Sequence, residues 1–281
     1  MSVITAIARH KGRTLRAAAV LLILDALFAL AAFFLFTTGG HAETPEERGL
    51  AIAMAADAAD NGWGDQISSL TMTLTNRHGQ TSIRQTHSRT LEVRGDGDKT
   101  LIVFDSPKDV QGTALLSFTH KDKTDDQWLF LPALKRTKRI SSSNKSGAFM
   151  GSEFAYEDIS SQEPEKYNHR YLRDEVLDGM ECFVVERDPL DPNSGYSRQE
   201  IWWDKEHYRP LKIEYYDRKG DHLKTMTQSD FKQYGRFWRA DTFFMENHQT
   251  GKTTHLAWTG YKFGNGFTDA EFTQAALKRA H

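Results

Sequence analysis

Between residues 67 and 263 the chain repeats one pattern: short runs of alternating apolar and polar residues, separated by turns that contain glycine. In the first run, Leu70, Met72 and Leu74 alternate with threonines. A period of two places alternate side chains on opposite faces of a β-strand, and short strands joined by tight turns are typical of an antiparallel meander. The runs fall into two sets, residues 67–140 and 170–263, and we count about eleven strands.

Two short helices are predicted beside these strands. Residues 47–60 are rich in alanine, and Leu50, Met54 and Ala58 recur at the four-residue spacing of a helix. Near the C-terminus, Thr268 and Glu271 have the spacing of a capping box, which marks the start of a helix. The sequence therefore predicts a mainly β domain with a few short helices.

Residues 1–42 have the order of a secretory signal peptide: a basic stretch, the apolar run Ala17–Phe36 and a small-residue site ending at Ala42. Residues 43–281 would then form one exported domain. The apolar run approaches the about 20 residues that span a bilayer, so a retained inner-membrane anchor is the alternative. Asp25 within the run opposes that alternative, because a carboxylate is costly at the centre of a membrane. Either arrangement places residues 43–281 outside the cytoplasm, and we expect the periplasm.

Charge and cysteine content exclude several classes of protein. The chain has a net charge of −2, of which residues 1–42 contribute +3, so residues 43–281 carry −5. An acidic domain without a long basic stretch is unsuited to binding nucleic acid. Cys182 is the only cysteine, so that the domain cannot form an internal disulfide, and beside Phe183 and Val184 it is expected to be a small core residue.

No motif for catalysis stands out. No serine lies in a G-x-S-x-G motif, and no two of the 11 histidines have the H-x-x-x-H spacing of a metal site. We therefore predict no catalytic residue, no metal and no cofactor, and a protein that is not an enzyme. A hydrolase built on an unrecognised pair of carboxylates is the remaining alternative.

Several predicted strands are apolar on both faces, as in Trp128–Leu131, Cys182–Val185, Ile201–Trp203 and Phe243–Met245. An antiparallel sheet with one wet face would alternate cleanly, so both faces must be covered. Either two sheets cover each other in a sandwich, or one curved sheet holds helices and an apolar ligand in a groove. The candidate groove or core residues, whose facing the sequence does not determine, are Trp128, Leu129, Leu131, Trp202, Trp203, Phe244 and Trp258.

Residues 141–159 interrupt the strand pattern with small polar residues and four large apolar ones. Structureless insertions of this length inside a domain are uncommon and are usually lids or binding loops. We predict a lid with Gly147 and Gly151 as hinges, whose apolar residues are Phe149, Met150, Phe154 and Tyr156.

The densest basic cluster lies just before this loop and comprises Lys135, Arg136, Lys138 and Arg139. One interpretation is a solvated strand edge, because charged edges deter sheet-to-sheet aggregation. The other is docking to anionic head groups or to a membrane partner, since polybasic segments are attracted to such surfaces.

The segment Trp128–Ile159 resembles the signature of the LolA-like outer-membrane lipoprotein-sorting proteins, and the strands at Trp202–Asp204 and Pro210–Lys212 also fit that family. The resemblance implies an unclosed β-barrel with helices covering its mouth. It also implies a periplasmic carrier, expected to be monomeric, that binds lipid or lipid-modified protein and passes it between membrane partners, among them a transporter of the RND or MMPL type. It supplies no catalytic residue. The alternative is a β domain without cargo that acts as an envelope sensor or transporter docking module.

Overall fold

The computed structural model describes residues 42–279. The predicted signal peptide, with its alternative as an anchor, therefore lies outside the described residues except for Ala42. Within residues 42–279, no helix is long and apolar enough to cross a membrane.

The predicted first helix is present as α1 (Pro45–Asp60). Its first turn is closed by a capping box, in which the Glu47 N–H donates to Thr44 Oγ1 at 3.1 Å and the Thr44 N–H donates to the Glu47 carboxylate at 2.9 Å. This reciprocal pairing satisfies backbone donors that the first turn of a helix leaves free.

The face of α1 that packs inward is not the apolar stripe seen in the sequence. Leu50 and Met54 of that stripe are exposed, whereas Ile52 and Ala56 are buried. The small residues decide the packing, because Gly49 lets the helix approach the sheet closely: a Cβ atom there would lie 2.7 Å from the backbone nitrogens of Arg170 and Tyr171.

Every run of alternating residues forms a strand, and residues 42–279 contain thirteen strands, more than the eleven or so that we counted in the sequence. In chain order they are β1 (Asp65–Thr75), β2 (Thr81–Leu91), β3 (Lys99–Ser106), β4 (Ala114–Phe118), β5 (Asp126–Leu131), β6 (Arg136–Ile140), β7 (Tyr167–Leu177), β8 (Met180–Pro189), β9 (Tyr196–Asp204), β10 (Pro210–Asp217), β11 (His222–Tyr234), β12 (Phe237–Asn247) and β13 (Lys252–Phe263). The short C-terminal helix is α2 (Gln274–Leu277), preceded by the predicted capping box at Thr268.

All thirteen strands form one antiparallel sheet, in the order β6-β5-β4-β3-β2-β1-β13-β12-β11-β10-β9-β8-β7. The pairing of β1 with β13 joins the two sets of strands that the sequence showed. The sheet does not close, since β6 and β7 remain its two edges. This arrangement is the unclosed barrel, and it excludes the two-sheet sandwich.

The single sheet explains why strands are apolar on both faces. On the face that we call concave, which carries the main core and the cavity described below, Leu129 belongs to the same core cluster as Leu70 and Met72. On the outer face of β3–β5, Phe130 packs with Phe272 and Leu277 of the C-terminal segment. Both faces are thus buried, each by a different part of the chain.

Candidate ligand cavity

Residues 141–166 connect β6 to β7, and we call them the crossing segment, because they run over the concave face from one edge of the sheet to the other. Hydrogen bonds join the crossing segment to strands in both halves of the sheet, among them β2, β11 and β13. The predicted lid, residues 141–159, is therefore part of a longer link between the two edges.

The aromatic residues of the crossing segment are packed into the core. Phe149 and Phe154 are only 1% and 2% exposed. The Phe149 ring lies 5.8 Å from the Phe104 ring and 5.5 Å from the Tyr156 ring, measured between centroids. Met150 and Tyr156 are partly buried against the same cluster. The segment therefore fills part of the concave face like a plug.

A buried ion pair holds this plug at its centre. Lys224 Nζ of β11 lies 2.6 Å from Asp158 Oδ2, and the two side chains are 4% and 2% exposed. Lys224 also donates to the Glu153 carbonyl oxygen at 2.9 Å, and the Tyr196 hydroxyl donates to Asp158 at 2.8 Å. A buried charge pair persists only when its remaining hydrogen-bonding capacity is also satisfied, which these contacts achieve.

Lys224 belongs to a row of six buried residues that lie opposite one another on β7–β12, and we call it the polar row: His169, Arg187, Gln199, Tyr215, Lys224 and Asn247. Besides Lys224, three members bond directly to the crossing segment. His169 Nε2 donates to the Pro164 carbonyl at 2.9 Å, Arg187 donates to Gln162 at 3.0 Å, and Asn247 donates to Glu153 at 2.7 Å.

Sequence reasoning missed the polar row. Each of its members stands in a different strand, and only the register of the folded sheet brings them together. The one local signal is a long polar side chain where the alternation calls for an apolar one, as at Arg187 and Lys224. That signal becomes interpretable only once the concave side of each strand is known.

Beside the plug, the concave face forms a partly open cavity of about 500 Å³, within the range of about 300–1,000 Å³ that small-molecule sites occupy. Its two walls differ in chemistry, and α1 covers it with Ala53 and Ala56. One wall, from β9 and β11–β13, carries the aromatic residues Trp203, Phe231, Trp238, Phe243, Trp258 and Tyr261. The other wall, from β1–β3, carries the hydroxyl residues Ser68, Thr86, Ser88, Thr90 and Thr100.

Some of the predicted groove and lid residues line this cavity. Phe149, Phe154, Trp203 and Trp258 line it. The remaining concave candidates, which belong to or pack against the adjoining core without lining the cavity, are Leu129, Leu131, Met150 and Tyr156.

Three candidates point away from the cavity and are not groove residues, although Trp202 is a buried core residue on the outer face. Trp128 packs on the outer face, with its ring 5.2 Å from Phe118. Trp202 lies in a separate outer cluster, where the Lys212 ammonium sits 3.6 Å above its ring, and Phe244 is 37% exposed. Each is adjacent in sequence to a concave residue, and successive side chains of a strand alternate between faces.

The basic cluster lies at the edge of the sheet, in β6 and the turn before it. Lys135, Arg136, Lys138 and Arg139 are all exposed. Arg139 forms an ion pair with Asp126, and none of the four lines the cavity. Their position agrees with both predictions for this cluster, edge protection and docking.

Acidic side chains gather at the α1 end of the cavity, where Asp57, Asp60 and Asp98 line it. Burial raises the pKa of the Asp98 carboxyl to about 7, and the nearby charges of Glu163 and Glu92 add to this effect. Burial also raises the pKa of Asp60, although its ion pair with Arg239 at 2.5 Å opposes that effect. Among residues 42–279 no group of three or more His, Cys, Asp or Glu side chains is placed to hold a metal ion.

Comparisons with known proteins point to one family. A family model described as "Uncharacterized protein" matches residues 96–279. A Vibrio parahaemolyticus structure, described as an outer membrane lipoprotein-sorting protein domain, is 54% identical, with a TM-score of 0.82 over 83% of this chain and 100% of that one. A DUF1329 family protein from Desulfovibrio piger is 29% identical, with a TM-score of 0.79 over 83% and 99%.

A LolA superfamily protein from Nitrosomonas europaea shares the fold at 20% identity, with a TM-score of 0.66 over 81% of this chain and 98% of that one. Among curated proteins, no sequence matches this chain significantly.

The buried ion pair should be strongly coupled. Asp158→Asn and Lys224→Met each strand one buried charge, so we expect each to lower the free energy of unfolding by about 3–5 kcal/mol. The double variant should lose clearly less than the sum of the two, because it leaves no lone charge. Urea denaturation measures all three, with Lys99→Met of the exposed pair Lys99–Asp269 as a control that changes stability by at most about 1 kcal/mol. Strictly additive losses would contradict a direct interaction.

The raised pKa of Asp98 sets the sign of one pH dependence. The folded protein holds this proton more tightly than the unfolded chain, whose carboxyl has a pKa of 3.8. The contribution of Asp98 to stability is therefore full below pH 3.8 and is lost as the pH rises through 7.

Asp98→Asn should accordingly lie close to the wild type at pH 4 and exceed its free energy of unfolding by about 4 kcal/mol at pH 8. Denaturant unfolding at both values measures the difference. The exposed Asp122→Asn serves as the control and should follow the wild type. An Asp98→Asn variant with the same deficit or gain at both pH values would refute the assignment.

Proposed function

We propose that this chain, which belongs to the LolA-like outer-membrane lipoprotein-sorting family, carries lipid or lipid-modified protein in its concave cavity. The observation that supports this most directly is the partly open cavity of about 500 Å³ between an aromatic wall and the plug. Large aromatic side chains suit an apolar ligand, because they offer much contact area. Both α1 and the crossing segment line the cavity and cover the concave face of the sheet. A ligand would therefore compete with these two parts of the chain for the same space.

The hydrophobic effect constrains how such cargo is handed over. Each buried CH₂ group contributes about 0.8 kcal/mol, so a 16-carbon chain that is fully sheltered gains about 13 kcal/mol, and one that is half sheltered about 6 kcal/mol. Spontaneous release into water would then be slow for cargo with two or three chains. We therefore propose direct transfer of cargo from a donor to this protein, and from it to an acceptor.

The crossing segment is the proposed lid. Phe149 and Phe154 occupy space on the concave face that a longer ligand would need. Met150 and Gly151 both have left-handed backbone conformations, with φ values of 51° and 80°, and Gly151 with Gly147 would act as hinge residues. Because the lid is tied down by the Asp158–Lys224 pair, it should not open at random but on contact with cargo or with a partner.

The basic edge is the proposed docking site for that partner. Lys135, Arg136, Lys138 and Arg139 are exposed on an edge strand, and Leu134 beside them is 67% exposed. An anionic membrane surface or a membrane transporter of the RND or MMPL type fits this chemistry. We place the protein in the periplasm as a monomer, exported by the segment 1–42 that is cleaved or retained as an anchor. This same surface is what favours the second candidate function, a transporter docking module without cargo.

The carrier function is tested by native mass spectrometry and lipid extraction on protein purified from its own envelope. We expect acyl lipid or lipopeptide at a stoichiometric amount. Gln228 lines the cavity, whereas its neighbour Thr227 points outward. Gln228→Trp should therefore reduce the bound lipid several-fold by filling the cavity, and the matched Thr227→Trp should leave it unchanged.

Protein that is empty after gentle purification, and that also fails to take up a fluorescent fatty-acyl probe, would overturn the carrier function. That outcome would support the docking module. Equal lipid content in the two tryptophan variants would show that the lipid binds outside this cavity.

A further inference from the structure

Two side chains in the cavity carry buried polar atoms that have no hydrogen-bond partner among the described residues: Thr86 Oγ1 and Trp258 Nε1. Buried polar groups are nearly always hydrogen-bonded, so an orphaned one in a binding cavity calls for a reason. Thr86 is 2% exposed, and the Trp258 nitrogen is screened from solvent although its ring is only partly buried.

The register of the sheet explains why Thr86 has no partner. Its cross-strand neighbours are Leu70 on β1 and Phe104 on β3, and neither side chain can form a hydrogen bond. The neighbouring hydroxyl residues of the same wall differ, because they lie opposite one another. Ser68 and Ser88 are bonded at 2.8 Å, and Thr90 and Thr100 at 3.5 Å.

Trp258 stands in the same cross-strand row. It lies opposite Leu70 on the other side of β1, so that Thr86, Leu70 and Trp258 form one line over β2, β1 and β13. The Trp258 ring is surrounded by the rings of Phe243 and Tyr261, at 6.1 and 6.3 Å between centroids. Strands are about 4.8 Å apart, which places the Cα atoms of Thr86 and Trp258 about 10 Å from each other.

The chemistry of these groups specifies their missing partner. An indole N–H can only donate a hydrogen bond, and a threonine hydroxyl can donate one, so an acceptor satisfies either. The partner must also be compatible with the aromatic wall beside it. A carbonyl oxygen at the head of an acyl chain meets both requirements, whereas a hydrocarbon or isoprenoid ligand offers no such acceptor.

We infer that the row Thr86–Leu70–Trp258 is a subsite for the ester or amide carbonyl groups of acyl cargo. This inference rests on the proposed carrier function and narrows it, because a carbonyl oxygen is a stronger hydrogen-bond acceptor than an ether oxygen and therefore favours acyl-linked lipids or lipoproteins over ether-linked lipids. Leu70 between the two donors contacts the chain, and each donor can hold one carbonyl.

The test compares two ligands that differ only in this carbonyl: monopalmitoylglycerol and its ether analogue hexadecylglycerol, each competing with a fluorescent fatty-acyl probe. The wild type should bind the ester about tenfold more tightly, as one buried hydrogen bond allows. The double variant Thr86→Val/Trp258→Phe should bind the two alike. Thr86→Val keeps the shape of the side chain and removes an unpaired hydroxyl, so the melting temperature should not fall.

The matched control is Thr71→Val/Trp128→Phe, which makes the same changes on the outer face and should keep the preference for the ester. Equal binding of both ligands to the wild type, or a preference that survives in the double variant, would overturn the carbonyl subsite while leaving a carrier in place. If the probe binds but neither ligand displaces it, the carbonyl subsite is overturned and the carrier function stands. If no probe binds, the carrier function fails together with this inference.

Discussion

The ion pair between Asp158 and Lys224 is the contact on which the rest of the arrangement depends. A sheet that does not close exposes its concave face to water, and the apolar residues there must be covered. The cover is the chain that links the two sheet edges, and the pair fixes it to the middle of the sheet, 66 residues away in sequence. Both side chains are almost fully buried, so separating them is costly unless a new partner receives each charge.

Hydrophobic and polar contacts both hold the crossing segment on the sheet, but they differ in whether a ligand can replace them. Phe149 and Phe154 supply apolar burial that a ligand of similar chemistry can replace at little net cost. The polar row cannot be replaced in that way, because its partners must be specific acceptors and donors. A cover built like this stays closed in water, yet acyl chains can take over its apolar contacts. The helix α1 completes the cover through close packing at Gly49.

Much of this fold follows from the sequence alone, because alternation and glycine turns report strand positions directly. Every predicted run became a strand, and the family signature in Trp128–Ile159 implied the unclosed barrel. The face of the sheet on which each side chain lies was harder to predict. Where both faces are apolar, as at Trp128 and Leu129, the sequence pattern does not distinguish inner from outer residues, and only the register of the folded sheet does. The apolar stripe at Leu50 and Met54 predicted the wrong buried face of α1. The close approach of Gly49 to β7 places the opposite face of the helix against the sheet. The polar row and the orphaned Thr86 depend on pairing between distant strands, which local patterns do not contain.

We infer that the sheet is a fixed frame and that the crossing segment moves away from the concave face when cargo binds. Hydrogen–deuterium exchange, with and without saturating monopalmitoylglycerol, tests it most directly. We expect amides of residues 147–159 to exchange faster when the ligand is bound, while those of β1 and β13 keep their protection. A crossing segment whose exchange is unchanged or slower in the presence of bound ligand would contradict the claim, and would make residues 141–166 a permanent part of the core.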